Sequence, residues 1–387
     1  MFSGKRINQK TAKVRIGINA HLLSGESGYR RAGIHNYIAQ VLDHLPPVSE
    51  YSAYSIFSRR ASNLVGKPGF DIQRSRWPTE RRLARIFWEQ TIWPFIAATQ
   101  RLDLLHSMAF VSPIISNTPS VITIYDLSFV HYPDRFPTLQ RIYLQSQTAR
   151  SCLRARRVIT ISESGRQDVH RCFQVPLEHI DVVVPGVDPL YKPLPPNIVD
   201  AFRQSKNLRR QTILHVGTLQ PRKNIPVLLE ALAKLGRPDV DLVLAGGKGW
   251  LYEDIFARVI ELGLKDQVHF TGYVPDADLP LWYNAATLLA FPSAYEGFGL
   301  PVVEAMACGT PVIASRSSSI PEAGGTAALY FDPGDVDTLV EQMASVLDDI
   351  SFANALGEQG LMQAQLFSWE RAGQETARVY KKALGLT

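Results

Sequence analysis

Short runs of β-branched and other apolar residues alternate with longer amphipathic stretches along this 387-residue chain, and that alternation limits the possible folds most. The runs in the first half are Val14–Ala20, Tyr54–Phe57, Leu104–His106, Ser120–Tyr125, Val158–Ile161 and Ile180–Val184. Those in the second half are Thr212–Val216, Val240–Ala245, Val268–Phe270, Thr287–Phe291, Val312–Ala314 and Ala328–Phe331. Between them lie amphipathic segments such as Ile225–Leu235, Leu251–Leu262 and Leu339–Leu347. Parallel strands need long crossovers, normally helices, so the pattern predicts parallel sheets covered by helices on both faces. Two such sets, in a chain too long for one core, predict an α/β protein with two doubly wound domains. The boundary falls near residue 190, in the cluster Pro185, Pro189, Pro193, Pro195 and Pro196, which suits neither a helix interior nor a central strand. Ligands of such sheets bind beyond the carboxyl ends of the strands, so two facing domains would enclose a cleft with the linker as hinge.

The densest chemical signal is Glu296-Gly297-Phe298-Gly299-Leu300-Pro301-Val302-Val303-Glu304, which follows the apolar run ending at Phe291. Two glycines surround an aromatic, and Pro301 suits the opening of a helix. Free N–H groups at a helix start, approached closely past glycines, make an anion site. One carboxylate precedes that helix and the other is expected in its first turn, so both can border a ligand carrying phosphates and hydroxyls, such as a nucleotide-sugar. A second cationic signal lies at His215-Val216-Gly217-Thr218-Leu219-Gln220-Pro221-Arg222-Lys223-Asn224. There a glycine ends a strand and two cations stand beside a helix start, where Arg can grip a diphosphate in bidentate fashion and Lys supplies a mobile point charge.

Two glutamates separated by seven residues around Gly-Phe-Gly resemble the signature of the retaining GT-B glycosyltransferases. The wider sequence resembles the bacterial family called group 1 or GT4. Supporting matches occur in order: Gly33-Ile34-His35-Asn36-Tyr37, Thr123 to Phe129, Ile161-Ser162-Glu163-Ser164, Pro185-Gly186-Val187-Asp188, His215 to Leu219 with Arg222-Lys223-Asn224, and Pro311-Val312-Ile313-Ala314. Together they cover roughly Val14 to Leu384. The resemblance implies a GT-B architecture. Residues 1–190 would form an acceptor-side Rossmann-like domain and 191–368 a nucleotide-sugar-binding one, with 369–387 a helix crossing back to the first.

It also implies roles. Arg222 and Lys223 would hold the donor diphosphate, and Glu304 the ribose hydroxyls. Glu296 would contact and orient the donor sugar, while N–H groups around Gly297, Phe298, Gly299 and Leu300 hold phosphate or sugar oxygens. Gly217, Tyr273 and Val274 would line the donor site, the last two beside the base. On the acceptor side, the loop Gly25–Gly33 with Gly28, Arg30 and Arg31 would add positive potential. Many members place a histidine after the fourth strand; this chain has Tyr125 there, so Asp126, or the Tyr125 hydroxyl or backbone, is left to serve. The implied reaction is hexosyl transfer, mannosyl by first expectation, from a GDP- or UDP-linked sugar to a glycan or lipid-linked acceptor in surface polysaccharide or lipopolysaccharide synthesis. The catalytic set would be Glu296, Asp126, Arg222 and Lys223, with no cofactor and no metal.

Other classes are narrowed by the residues. No GxGxxG follows Val14–Ala20, as a nicotinamide dehydrogenase would need, and Gly246-Gly247-Lys248-Gly249 lacks P-loop spacing. A UDP-glucose-type transferase, a nucleotide-sugar epimerase on the same architecture, and a silent nucleotide binder are the competing readings. Residues 1–195 carry 25 Lys and Arg against 14 Asp and Glu, the remainder 16 against 22, so the first half is strongly basic and the second acidic. The acidic half argues against nucleic acid, whereas the basic half suits an anionic membrane leaflet. The segment Trp77 to Trp93, with its arginines and three tryptophans, is the candidate headgroup-level helix. No stretch of about 18 apolar residues can span a bilayer, Met1 to Lys13 has no apolar signal core, and three cysteines at Cys152, Cys172 and Cys308 fit a reduced compartment. A cytoplasmic protein, peripheral on the inner membrane face, is therefore expected.

Overall fold

The computed structural model describes residues 14–23, 33–47, 52–58, 69–75, 77–79, 81–133, 137–208, 211–249 and 252–386. Seven strands form the first sheet: β1 Val14–Asn19, β2 Ser52–Ser58, β3 Phe70–Arg74, β4 Leu104–Ser107, β5 Ser120–Ile124, β6 Arg157–Thr160 and β7 Ile180–Val182. Six form the second: β8 Gln211–Val216, β9 Val240–Ala245, β10 Val268–Gly272, β11 Leu288–Phe291, β12 Val312–Ser315 and β13 Leu329–Phe331. The strand orders are β3-β2-β1-β4-β5-β6-β7 and β10-β9-β8-β11-β12-β13. Every pairing is parallel, with β1 set between β2 and β4, and β8 between β9 and β11. Each sheet thus reverses direction once, and each reversal opens a crevice at the carboxyl ends of the strands.

Central strands such as Val-Asp-Leu-Val-Leu-Ala in β9 and Leu-Leu-Ala-Phe in β11 are buried along their whole length, as coverage on both faces requires. The edge strand β3, Phe-Asp-Ile-Gln-Arg, was not among the expected strands. Its charged residues Asp71 and Arg74 are exposed and the other three half-buried, as suits an edge strand paired on one side. Two crossings of the chain join the halves. The first is the proline-rich segment after β7; the second leads into the helix Trp369–Leu384, which packs on the helix Ile34–His44 of the first half. Tyr380 on that returning helix bonds His106 of β4 at 2.7 Å, and His106 reaches Thr123 of β5 at 2.8 Å.

The tryptophan-rich segment corrects one expectation. It folds as Arg82–Phe87, a π-helical turn Trp88–Ile92, and Trp93–Thr99. Trp88 and Trp93 stack on each other at 5.9 Å inside the first domain and cannot enter a lipid interface. Only Trp77 is exposed, at 41%, and the outward positions carry Leu83, Phe87 and Phe95 instead. Among the described residues no helix is long and apolar enough to cross a membrane.

Candidate active site

The loops after β8 and β11 meet at the reversal of the second sheet. Gly217 directly follows β8 with φ of 155°, and a Cβ there would lie 3.1 Å from Lys223 Cε, so glycine clears the path of the lysine side chain. Pro221–Lys223 form one 3₁₀ turn, Asn224 turns left-handed, and the helix Ile225–Leu235 follows. Lys223, only 6% exposed, donates from Nζ to Glu296 Oε1 at 2.6 Å. Arg222 Nη1 donates to Glu296 Oε2 at 2.7 Å and to the Tyr295 carbonyl at 2.8 Å. Burial alone would raise the Glu296 carboxyl, yet Arg222 and then Lys223 hold it at about 2. Beneath them His215 is buried, and burial, with Lys223 adding, lowers its imidazole to about 4. It is neutral and leaves the two cations as the positive charge of the site.

A run of serines fixes the glutamate loop from below. Ser318 Oγ accepts from the Glu296 N–H at 2.8 Å, and Ser319 Oγ donates to the carbonyls of Glu296 and Phe298 at 2.9 and 3.0 Å. Ser317 Oγ donates to the Ala294 carbonyl. Gly299 then adopts φ of 118° and starts the helix Leu300–Ala307 with no side-chain cap. The N–H groups of Phe298, Gly299 and Leu300 have no backbone acceptor among the described residues, which is the state expected of an anion site.

Glu304 departs from expectation in position. The helix begins at Leu300, so Glu304 stands in its second turn and faces the interior, where it accepts from Tyr283 Oη at 2.7 Å. Burial pushes its carboxyl up to about 7 against the opposing Tyr283 bond, with the charge of Asp276 adding to the rise. Tyr273 and Val274 follow β10 and are half-buried, Val274 against the main core.

From the first domain, Tyr125 and Asp126 reach the same place. The Tyr125 hydroxyl donates to the Met108 carbonyl at 2.6 Å inside the core, so it cannot stand in for a cleft histidine. Its carbonyl does face the cleft: a Cβ on Gly297 would lie 2.3 Å from it. Asp126 accepts from the Ser128 N–H at 2.9 Å, and its charge bears on Arg222 and Lys223. Gly33, with φ of 73°, precedes the helix Ile34–His44, while Gly28, Arg30 and Arg31 lie outside the described residues. The serine run, Tyr283 and Tyr295 were not anticipated. Only the serines carried a local signal, three in succession after a strand.

This geometry gives a buried lysine and a half-buried arginine, a carboxylate between them and helix-start N–H groups that lack a backbone acceptor among the described residues, all in a cleft between two parallel sheets. Residues 32–190 match Glycosyltransferase Family 4 and residues 198–362 match Glycosyl transferases group 1. The O-antigen chain mannosyltransferase B of Escherichia coli is 36% identical over 267 residues, covering 68% of this chain and 70% of that protein. The MMP α-(1→4)-mannosyltransferase of Mycolicibacterium hassiacum is 33% identical over 260 residues, 65% of this chain and 60% of that one. In fold, the sucrose-phosphate synthase of Thermosynechococcus elongatus superimposes with a TM-score of 0.75 over 97% of this chain and 100% of its own, at 24% identity. With matches over both halves and the Escherichia coli relative aligned across two thirds of each chain, this protein belongs to the group 1, or family 4, glycosyltransferases of GT-B architecture.

Proposed function

We propose that this glycosyltransferase moves a hexose, mannose from GDP-mannose being the first to test, to a glycan or lipid-linked acceptor of a cell-surface polysaccharide, with retention at the anomeric carbon. The names of the two mannosyltransferase relatives support the sugar. The observation that carries the reading is the bridging of Glu296 by both Arg222 and Lys223. Arg222, Lys223 and Glu296 together sum to one positive charge, and a donor diphosphate would displace the carboxylate from both cations. Glu296 is then free to accept from sugar hydroxyls, while Arg222, Lys223 and the Phe298–Leu300 N–H groups balance charge growing on the leaving diphosphate. The bond from anomeric carbon to phosphate oxygen breaks as the acceptor oxygen bonds on the same face, and the departing oxygen takes the acceptor proton. Positive charge for the leaving group comes from side chains in this scheme, so transfer without metal is part of the proposal.

Peripheral membrane contact is a second part. Leu83, Phe87 and Phe95 are exposed along one side of the segment carrying Arg81, Arg82 and Arg85, an arrangement suited to an anionic leaflet. Sedimentation with anionic but not neutral vesicles is expected, and equal recovery with both would exclude it. Donor class is tested by thermal shift with GDP, UDP and ADP in chelator. A nucleotide at about 100 times its dissociation constant should stabilise by roughly 2.7 kcal/mol. No shift with any of them would overturn the donor assignment.

A further inference from the structure

Among the described residues, three contacts join the two domains beside the glutamate loop. One runs through Tyr295, the residue before Glu296. Its hydroxyl donates to Asp168 Oδ2 at 2.9 Å and accepts from the Leu127 N–H at 3.0 Å, both in the first domain. Asp168 is 6% exposed on the helix Glu163–Phe173, where His131 Nε2 lies 3.1 Å from the same oxygen and Arg171 Nη2 donates to Oδ1 at 3.2 Å. The tyrosine ring is flanked by His131 and Tyr132, with centroids 5.0 and 5.9 Å away. The carbonyl of this one residue accepts from Arg222. Tyr295 therefore has its hydroxyl on the first domain and its backbone on a cation of the donor site.

The second contact holds the same helix by its start: the Glu163 and Ser164 N–H groups donate to Glu322 of the second domain at 2.6 and 2.7 Å. The third is the close approach of Gly297 to the Tyr125 carbonyl, which admits no side chain. A buried carboxylate strengthens the bond it accepts, and parting the domains would strip Tyr295 of both partners at once.

We propose that Tyr295 and Asp168 are positioning residues whose bond holds the cleft closed and sets Glu296 and Arg222 against the acceptor side. This rests on the cleft being the site of transfer. The tyrosine thus reports closure of the first domain to the groups that face the leaving diphosphate, acting through Glu296 and Arg222.

Tyr295→Phe keeps the ring and removes the hydroxyl. Hydrogen exchange on the ligand-free full chain should show the Glu163 and Ser164 amides, which Tyr295 does not touch, opening about tenfold faster. Small-angle scattering should show a larger radius of gyration. Asp168→Ala should match it, and Asp168→Asn, which still accepts a hydrogen bond but without the charge, should open distinctly less than Asp168→Ala. The double variant Tyr295→Phe/Asp168→Ala should open no further than either single, as partners in one interaction do. Gly297→Ala should open the cleft by wedging, with the clasp atoms all present. In Tyr295→Phe the calorimetric affinity for GDP should hold within about twofold while turnover of the sugar donor falls about tenfold. Unchanged exchange at Glu163 and Ser164 in Tyr295→Phe, or identical behaviour of Asp168→Asn and Asp168→Ala, overturns the proposal. If neither GDP nor UDP binds the parent, the functional reading falls while the exchange data still decide the clasp.

Discussion

Glu296 and Glu304 flank one glycine loop, yet their neighbours drive them in opposite directions. Glu296 lies at about 2 and Glu304 at about 7. The two therefore load stability onto different pH ranges. Glu296, depressed in the fold, contributes stability above the usual glutamate range and loses it as pH falls from about 4.5 towards 2. Glu304, raised in the fold, keeps a proton that the unfolded chain releases, so its contribution is full below about 4.5 and is lost as pH rises through 7. Glu304→Gln should accordingly gain about 2–3 kcal/mol over the parent at pH 8 and almost nothing at pH 4.5, read by urea unfolding. If Glu304 accepts from ribose hydroxyls, the same variant binds nucleoside diphosphates more weakly at pH 8 despite its greater stability. Lys223→Ala removes a charge from the diphosphate side and should weaken nucleotide binding about tenfold or more by calorimetry. Glu296→Ala, which removes the competitor for both cations, should lower turnover far more than nucleotide affinity.

The loop after β11 owes its shape to the segment after β12. Ser317, Ser318 and Ser319 bond four backbone groups between Ala294 and Phe298, and Ser319 alone takes two carbonyls while fully buried. Ser319→Ala should cost about 1–3 kcal/mol, since both carbonyls lose a buried partner, and should blunt nucleotide affinity without touching any ligand group. Denaturant unfolding and calorimetry measure the two effects. This loop also marks where the sequence stopped being readable. Buried strands and the helix Ile225–Leu235 follow from periodicity, because each buries its own apolar face. Arg222, Lys223 and Glu296 could be named because they lie in compact motifs, and the structure brings them into contact. β3 escaped notice because a half-buried edge strand tolerates Asp71 and Arg74. The tryptophans misled because a basic surface and an aromatic core share one helical segment, Arg82 to Thr99, and only packing tells which side faces inward. Tyr295 and Asp168 are 127 positions apart, and no local pattern announces a bond formed by the meeting of two sheets.

The chain passes between its two halves twice, and the crossings touch. A Cβ on Gly186 would lie 2.1 Å from the Trp369 amide nitrogen, and the Val187 N–H donates to the Phe367 carbonyl at 3.3 Å. Any opening of the cleft must bend both crossings together, which restricts relative motion to a hinge at this point. Beyond it the helix Trp369–Leu384 completes the first core. Gly373 sits where a Cβ would meet the His44 carbonyl at 2.1 Å, Trp369 packs edge-on to Tyr37 at 5.6 Å, and Tyr380 holds the buried, neutral His106. Tyr380→Phe should destabilise by about 1–3 kcal/mol in denaturant, because it leaves a ring nitrogen of His106 without its partner. The returning helix also has a consequence for synthesis. The seven strands of the first sheet leave the ribosome well before Trp369–Leu384 is made, and at about 5–20 residues per second they wait tens of seconds for the piece that covers them. The first half begun is therefore the last half finished, and the newborn chain meets the cell with its N-terminal core still uncovered.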